Sequence, residues 1–175
     1  MRFGYYDRLS PARKKIYRRS DEIAALGLPA GLDLGANVVR IEAALREDDR
    51  AAVQRECQAL LDALVAGYHV PKVRVRILAA RPADGYGELH GLYEPEEGRA
   101  LSRLTAWMRT AQRRQVVAFK TFLRTVIHEL CHHLDYELFA LEETFHTEGF
   151  YKRESNLVGA LLAQRQAAIE RSPPP

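Results

Sequence analysis

The stretch HELCHHLDYELFALEETFHTEGF, residues 128–150, decides how the chain is interpreted. It begins with His-Glu-x-x-His and ends with a third histidine, His146, three residues before a glycine. On a helix, His128 and His132 lie one turn apart on the same face, so that both imidazoles can hold one metal ion. From Glu129, a carboxylate can reach a water on that ion and take its proton. The pattern predicts a zinc site of the catalytic type, against the alternative of a polar helix face with ordinary histidines.

A catalytic zinc site needs a third protein ligand and one open position. Thirteen residues separate His132 from His146, enough for the helix to end, the chain to reverse and a second helix to return antiparallel. We therefore expect His146 to be the third ligand, with Gly149 allowing close backbone approach and Phe150 anchoring the segment in the core. The rival ligands are the neighbouring carboxylates Glu142, Glu143, Glu148 and Glu154.

Asp135 follows His132 by three residues on the same helix face. A rigid helix cannot curl three consecutive turns around one ion, so Asp135 is better placed to accept a hydrogen bond from a ligand imidazole. The alternatives for Asp135 are a buried ion pair and a plain surface carboxylate. Peptide hydrolysis at such a site often uses a proton donor that stabilises an oxyanion. The candidates are Tyr151, Tyr136 and His90, and the sequence does not choose among them.

The composition is that of an ordinary globular protein. The chain has 175 residues, of which 47% are hydrophobic and 28% charged, and this length predicts one domain with a sizeable core. A metal would therefore serve function rather than folding. The two cysteines, Cys57 and Cys131, form no CxxC pair, which excludes a zinc ribbon and argues against a disulfide scaffold. We expect both to be core thiols, and His133 to be a packing or surface residue.

Basic residues cluster along the chain. Residues 1–20 carry seven basic residues against one acidic residue, and residues 98–128 carry seven basic residues and no acidic one. An acidic block follows between Asp135 and Glu148. Basic faces can attract nucleic acid, although charge runs are more often only solvated surface. No segment has the length of a membrane span and no apolar leader is present, so we expect a cytoplasmic protein without a membrane partner.

Hydrophobic periodicity predicts three helical regions at 11–26, 37–67 with a break at 46–49, and 112–139, and a last helix at 147–171. Strict alternation over 72–77 predicts a half-buried strand with a basic outer face. Further strands are predicted at 86–94 and 101–109, with turns at 83–85 and 95–98. Residues 140–146 form an acidic connection, and we expect 172–175 to be a disordered tail.

His-Glu-x-x-His followed by His-x-x-x-Phe resembles the SprT-like metallopeptidases, zincin-fold proteins of the minigluzincin type related to the Spartan and SprT group. The resemblance covers roughly residues 70–165. It implies one Zn²⁺ per chain held by His128, His132 and His146, with Glu129 as general base. It also implies that the edge strand at 86–94 aligns the backbone of a protein or peptide substrate. The chain departs from the family in its N-terminal helices and in lacking the four-cysteine zinc ribbon of many members.

We therefore expect an α+β, zincin-like fold in which a small, mostly antiparallel sheet packs on the active-site helix. Residues 1–69 would form an extra helical region on a metallopeptidase core at 70–171, within a single domain overall. The expected activity is zinc-dependent peptide hydrolysis. The alternatives are a DNA-associated protein that binds DNA weakly through its basic surfaces, and a zinc-binding protein without catalytic activity. The oligomeric state is left open.

Overall fold

The computed structural model describes residues 3–84, 87–88, 90–96 and 101–171, which form an α+β structure. After a short 3₁₀ helix, Tyr6–Arg8, come the helices α1 Pro11–Glu22, α2 Gly35–Arg46 and α3 Arg50–Gly67. The strands are β1 Arg74–Ala80, β2 Ala83–Asp84, β3 Gly87–Glu88, β4 Gly91–Glu94 and β5 Arg103–Arg109. The last helices are α4 Phe119–Glu137 and α5 Glu148–Arg171. The predicted tail, and parts of the predicted turns at 83–85 and 95–98 and of the predicted strand at 86–94, lie outside the described residues.

Helix caps explain where the first helices begin. The Ser10 side chain accepts a hydrogen bond from the first turn of α1, and Pro11 occupies its first position. The Asp49 side chain accepts a hydrogen bond of 3.0 Å from the backbone N–H of Ala52 and so caps α3. The predicted break near 46–49 is therefore confirmed, because α2 ends at Arg46 and α3 begins four residues later.

The sheet is mixed rather than mostly antiparallel. Its order is β1-β5-β4, with β5 parallel to β1 and antiparallel to β4, while β2 and β3 form a separate antiparallel pair. The longest ladder is the parallel one, in which Arg74 to Ala80 face Arg103 to Arg109. The chain reverses twice between β1 and β5, so β5 returns beside β1 in the same direction. Alternation within a strand carries no information about that direction.

Helix α4 begins at Phe119, seven residues later than periodicity predicts. The backbone N–H of Val117 donates to the Met108 carbonyl at 2.7 Å, and Val116 forms an isolated bridge with Arg109. The segment before α4 thus prolongs the pairing along β5, and this tertiary pairing overrides the helical pattern of its apolar residues.

One hydrophobic core joins the sheet to α2, α3, α4 and α5. The inward side chains of β1 and β5 are almost fully buried in it, as are both cysteines, which confirms the prediction of core thiols. The N-terminal half packs directly on the C-terminal helix, because a Cβ at Gly35 would lie 2.2 Å from the Gln164 carbonyl oxygen. Among the described residues, no helix combines the length and the hydrophobicity that crossing a bilayer requires.

A second, smaller cluster lies between α1 and the connection that leads into α5. We call it the N-terminal aromatic cluster. Its buried members are Tyr6, Tyr17 and Phe145, with Phe3, Tyr5, Leu9 and Ile16 packed against them. The exposure of Tyr17 is 1% and that of Ser20 is 0%, so these two residues anchor α1 to the rest of the protein.

Candidate metal centre

Three imidazoles meet at one point of the structure. His128 and His132 project from α4, and His146 comes from the connection between α4 and α5. The Nε2 atoms lie 3.0 Å apart between His128 and His146, 3.3 Å between His132 and His128, and 3.1 Å between His146 and His132. The structure thus brings together all three histidines that the sequence selected.

Hydrogen bonds on the far side of two rings fix their tautomers. The Thr144 hydroxyl donates to Asp135 Oδ2 at 2.8 Å, and therefore its oxygen accepts from His132 Nδ1, also at 2.8 Å. His128 Nδ1 lies 2.8 Å from Glu154 Oε2, and a carboxylate can only accept. Each ring thus carries a proton on Nδ1, so the Nε2 atom of the neutral ring directs a bare lone pair at the point where the rings meet.

This arrangement fits a metal ion with nitrogen ligands. When both rings are neutral, the two lone pairs that face each other cannot form a hydrogen bond, and a shared cation would turn their repulsion into two bonds. Burial, reinforced by His128 and His146, lowers the pKa of His132 to about 3, so this ring is neutral as a ligand must be. A tetrahedral ion with metal–nitrogen bonds of about 2.05 Å needs ligand nitrogens about 3.3 Å apart. The observed separations of 3.0–3.3 Å are close to that value.

Two arginines, Arg124 and Arg153, hold the two carboxylates behind the ligand rings. Burial alone would raise the pKa of Glu154, but hydrogen bonds from His128 and Arg124 outweigh it and lower that pKa. Asp135 is fully buried and pairs with Arg153 at 2.6 Å. Among the described contacts Asp135 accepts from the Thr144 hydroxyl and not directly from a ligand imidazole, which differs from the expected direct hydrogen bond, and its pairing with Arg153 is the buried ion pair named as the alternative.

The proposed general base is buried beside this cluster. The exposure of Glu129 is 6%, and burial raises the pKa of its carboxyl to about 7 against the opposing effects of His128 and of the Tyr93 backbone N–H. Strand β4 passes so close that a Cβ at Gly91 would lie 2.3 Å from Glu129 Oε1. The glycine is thus required by the position of the carboxylate.

An open cleft of about 790 Å³ gives access to the three histidines and Glu129. One side is β4 with its flanks, and the other is formed by α4 and α5. The three candidates for a proton donor, His90, Tyr136 and Tyr151, all line it. The Tyr151 ring lies 5.8 Å from that of His146 and 6.2 Å from that of His128, between centroids. All three residues therefore remain candidates for the proton donor, and the geometry favours none of them over the others.

Three of the four rival third ligands are paired elsewhere, and the fourth, Glu154, lies behind His128. Glu142 and Glu143 pair with Arg19 and Arg13 of α1, and Glu148 pairs with Lys152. Among the described residues, the group able to hold a metal consists of the three histidines.

Sequence reasoning missed part of the supporting structure. The sequence pattern gives no signal for Thr144, and it offers Glu154 only as a rival ligand. The one available signal was that Glu154 lies two turns into a helix that begins just after His146. His133 is fully buried and bonded to the Tyr93 hydroxyl at 3.0 Å and the Pro71 carbonyl at 2.8 Å, so the expectation that it packs is confirmed.

In comparisons with known proteins, no family model matches the chain, and neither a curated protein nor a solved structure is significantly similar to it. The resemblance to SprT-like metallopeptidases therefore rests on the motif residues alone.

Proposed function

We propose that this protein is a zinc-dependent metallopeptidase that hydrolyses peptide bonds in the cleft between β4 and α4. One observation carries the proposal: the Nε2 atoms of His128, His132 and His146 converge within 3.0–3.3 Å on an open cleft that Glu129 also lines. The resemblance to the SprT-like peptidases, with the same residues as ligands and base, supports the same function.

The chain's own groups have distinct tasks in this reaction. A bound zinc ion would acidify a water molecule and polarise the scissile carbonyl. Glu129 takes the proton from the attacking water and later gives it to the leaving amine. In the metal-free protein, burial raises the pKa of this carboxyl to about 7, and a carboxyl of raised pKa is a stronger base towards the attacking water. Thr144 and Glu154 keep the ligand rings oriented throughout.

The sheet favours an extended peptide as substrate. The edge at β1 is closed by side chains of α3, which leaves the edge beside the cleft for pairing with a peptide. Gln54 of α3 donates to the Val75 carbonyl at 2.8 Å and accepts from the Ile77 N–H at 2.7 Å. Gln58 accepts from the Val75 N–H at 2.9 Å and donates to the Val73 carbonyl at 3.0 Å. Two glutamines thus occupy backbone groups that an outer strand of β1 would otherwise use.

The other edge of the three-stranded sheet is β4, which borders the cleft. Leu92 and Tyr93 line the cleft, and Leu92 is 38% exposed. An extended chain that paired with β4 would run past the three histidines, as strand addition to a sheet edge requires. This position agrees with the edge strand that the family resemblance implies for residues 86–94.

A catalytic role explains the site better than a structural one. Structural zinc sites are closed by four protein ligands, whereas three nitrogens and an open cleft leave a position for water. A structural ion would also need no buried carboxylate at Glu129. The buried members of the main hydrophobic core do not include the three histidines.

The nucleic-acid alternative loses support from the charge pairing. The basic N-terminal segment and the acidic block that follows α4 neutralise each other through Arg13–Glu143 and Arg19–Glu142. In the second basic stretch, Arg103, Arg109 and Arg124 pair with Glu94, Asp48 and Glu154. Arginines of both basic stretches thus have acidic partners at the surface of the fold.

The test combines elemental analysis with cleavage of an unfolded protein substrate. We expect the wild type to hold about one zinc per chain and to cleave, as a three-ligand catalytic site requires. Glu129→Gln should keep the zinc and lose about 10²–10⁴-fold in rate, the usual contribution of a general base. His146→Ala should lose most of the zinc.

Glu137→Gln is the matched control, because it makes the same change at an exposed position of the same helix. It should behave as the wild type. A zinc-loaded wild type that cleaves nothing, or a Glu129→Gln variant as active as the wild type, would overturn the peptidase assignment.

A further inference from the structure

His146 differs from the other two ligands in how it is held. His128 and His132 belong to the rigid helix α4, whereas His146 lies in the connection before α5 and is exposed. Its two chain neighbours, Phe145 and Thr147, are both buried, with exposures of 7% and 0%. The position of the third ligand therefore depends on what receives these two side chains.

Phe145 packs into the N-terminal aromatic cluster. Its ring centroid lies 6.5 Å from that of Tyr5 in a stacked arrangement and 6.0 Å from that of Tyr17. Phe145 belongs to this cluster and not to the main hydrophobic core. The residue before the ligand is thus anchored by residues from the first seventeen positions of the chain.

Thr147 and the first turn of α5 pack on the end of α1. The Thr147 hydroxyl lies 3.4 Å from that of Ser20, and the Gly149 N–H donates to Asp21 Oδ1 at 2.9 Å. A Cβ at Gly149 would lie 2.4 Å from the Asp21 carbonyl oxygen. The close approach expected at Gly149 is therefore made to α1, and the residues after the ligand are anchored there.

The ligand residue is itself bound by the N-terminal segment. The Tyr5 hydroxyl donates to the carbonyl oxygen of His146 at 3.0 Å across 141 positions of sequence. The Phe3 ring lies 5.9 Å from Tyr151, a residue that lines the cleft. Residues 145, 146 and 147 are thus each contacted by residues from 5–20, with Tyr5 contacting both Phe145 and His146.

We propose that the N-terminal segment, residues 5–20, positions the third ligand of the metal centre, and that Tyr5 is a positioning residue for His146. The proposal rests on the metal site of the proposed function and not on peptide hydrolysis. Ordering an exposed connection costs conformational entropy. If the connection were disordered in the metal-free protein, this cost would reduce the affinity for the metal. The N-terminal contacts order residues 145–147 in advance, so His146 meets the ion without that loss.

The test is zinc affinity, measured on the full chain by competition with a chromophoric chelator. Tyr5→Phe removes one hydroxyl and keeps the ring in its cluster. We expect zinc binding to weaken by about three- to tenfold, the range that one hydrogen bond contributes. In the cobalt-substituted protein, the visible absorption bands should shift, because the geometry around the ion changes.

Tyr68→Phe is the matched control. Its hydroxyl also donates to a backbone carbonyl, that of Gly27 at 2.7 Å, but this bond lies at the end of α3 and touches no ligand. This variant should lower the melting temperature as Tyr5→Phe does, with unchanged zinc affinity and an unchanged cobalt spectrum. A role of Tyr5 in overall stability alone would make the two variants alike.

The outcomes separate the two proposals. Zinc binding by the wild type, weakened in Tyr5→Phe but not in Tyr68→Phe, supports the positioning role. Equal zinc affinity and equal cobalt spectra in all three proteins overturn this role and leave the proposed function untouched. A wild type that binds no zinc overturns the metal site, and with it both proposals.

Discussion

A single hydroxyl group connects one metal ligand to the protein interior. Thr144 accepts from His132 Nδ1 and donates to Asp135, so it selects the tautomer that leaves Nε2 free. Thr144→Val keeps the shape but removes the hydroxyl. We expect zinc affinity to fall about 10- to 100-fold, the usual cost of losing a partner behind a ligand histidine.

Thr144→Ser is the control for this variant, because it keeps the hydroxyl and loses only a methyl group. It should bind zinc nearly as well as the wild type in the same competition titration. If Thr144→Val and Thr144→Ser bind zinc equally, the hydroxyl does not orient the ring.

The second prediction at the scale of residues concerns Gly91. Its missing side chain makes room for the Glu129 carboxylate, and a methyl group there would lie 2.3 Å from Oε1. Gly91→Ala should therefore displace the carboxylate and reduce peptide hydrolysis about 10²-fold, within the range that a general base contributes. Bound zinc, measured by elemental analysis, should stay unchanged, because no ligand moves.

Gly159→Ala provides the comparison. This glycine lies on α5 with no atom within 4 Å of the added methyl group, and alanine is the better helix former. The variant should be fully active and slightly more stable. A Gly91→Ala protein with wild-type activity would show that Glu129 can work from another position.

At the scale of elements, the closed edge of β1 is the feature with the clearest consequence. Gln54 and Gln58 bind four backbone groups of the segment 73–77. Replacing both with alanine should lower the free energy of unfolding by about 2 kcal/mol, since each lost hydrogen bond is partly replaced by water. The exposed edge should also promote self-association, visible as growing light scattering on mild heating.

Gln166→Ala is the control for the glutamine pair, because Gln166 is exposed on α5 and bonds only to the side chain of Glu170 among the described contacts. It should change neither unfolding nor scattering. If the double variant also remains stable and monodisperse, the glutamines do not protect the edge.

The helices and strands show how much of the fold can be predicted from the sequence. Periodicity located α1, α2, α3, α5, β1 and β5 closely, because amphipathic burial leaves its period in the sequence. The parallel pairing of β1 with β5 was missed, since it depends on how the chain returns after many residues. The start of α4 was placed too early, because Val116 and Val117 belong to an extended segment that a helical stripe also fits.

The candidate site divides in the same way. The positions of the two histidines of the motif can be predicted because the helix period fixes their common face. The approach of His146 can be predicted because the connection is long enough for the chain to reverse. The residues that position these histidines cannot be predicted from the sequence in this way. Thr144 reaches His132 only through the path of the connection, and Tyr5 reaches His146 only because α1 packs on α5.

At the scale of the whole molecule, one guanidinium joins three helices. Arg153 of α5 is fully buried, and it binds Asp135 of α4 as well as the carbonyls of Ser20 and Ile23 at the end of α1. Breaking such a buried pair leaves a charge without a partner, which usually costs about 3–5 kcal/mol. The metal centre is therefore linked to the global packing and is not an isolated attachment.

Removal of the metal tests whether the metal centre is linked to the stability of the whole fold. We expect a chelator to lower the melting temperature, because an ion that binds only the folded state stabilises it by about 4 kcal/mol at a thousandfold excess over its dissociation constant. The far-ultraviolet circular dichroism spectrum at 25 °C should stay unchanged, since the large core does not include the ligands.

His128→Ala, which lacks one ligand, should show no response to the chelator. The expectation fails if the metal-free wild type is unfolded at 25 °C, which would indicate a structural ion. It fails equally if chelation leaves the melting temperature of the wild type where it was.

The bond between Tyr5 and His146 also has a consequence for the order of events during synthesis. The anchor is translated among the first residues of the chain and the ligand that it holds is translated 141 positions later. Glu154, which orients His128, follows later still, on α5. A nascent chain that has exposed the whole His-Glu-x-x-His helix therefore still lacks His146 and Glu154, and the proposed metal site is complete only after α5 has emerged from the ribosome and docked.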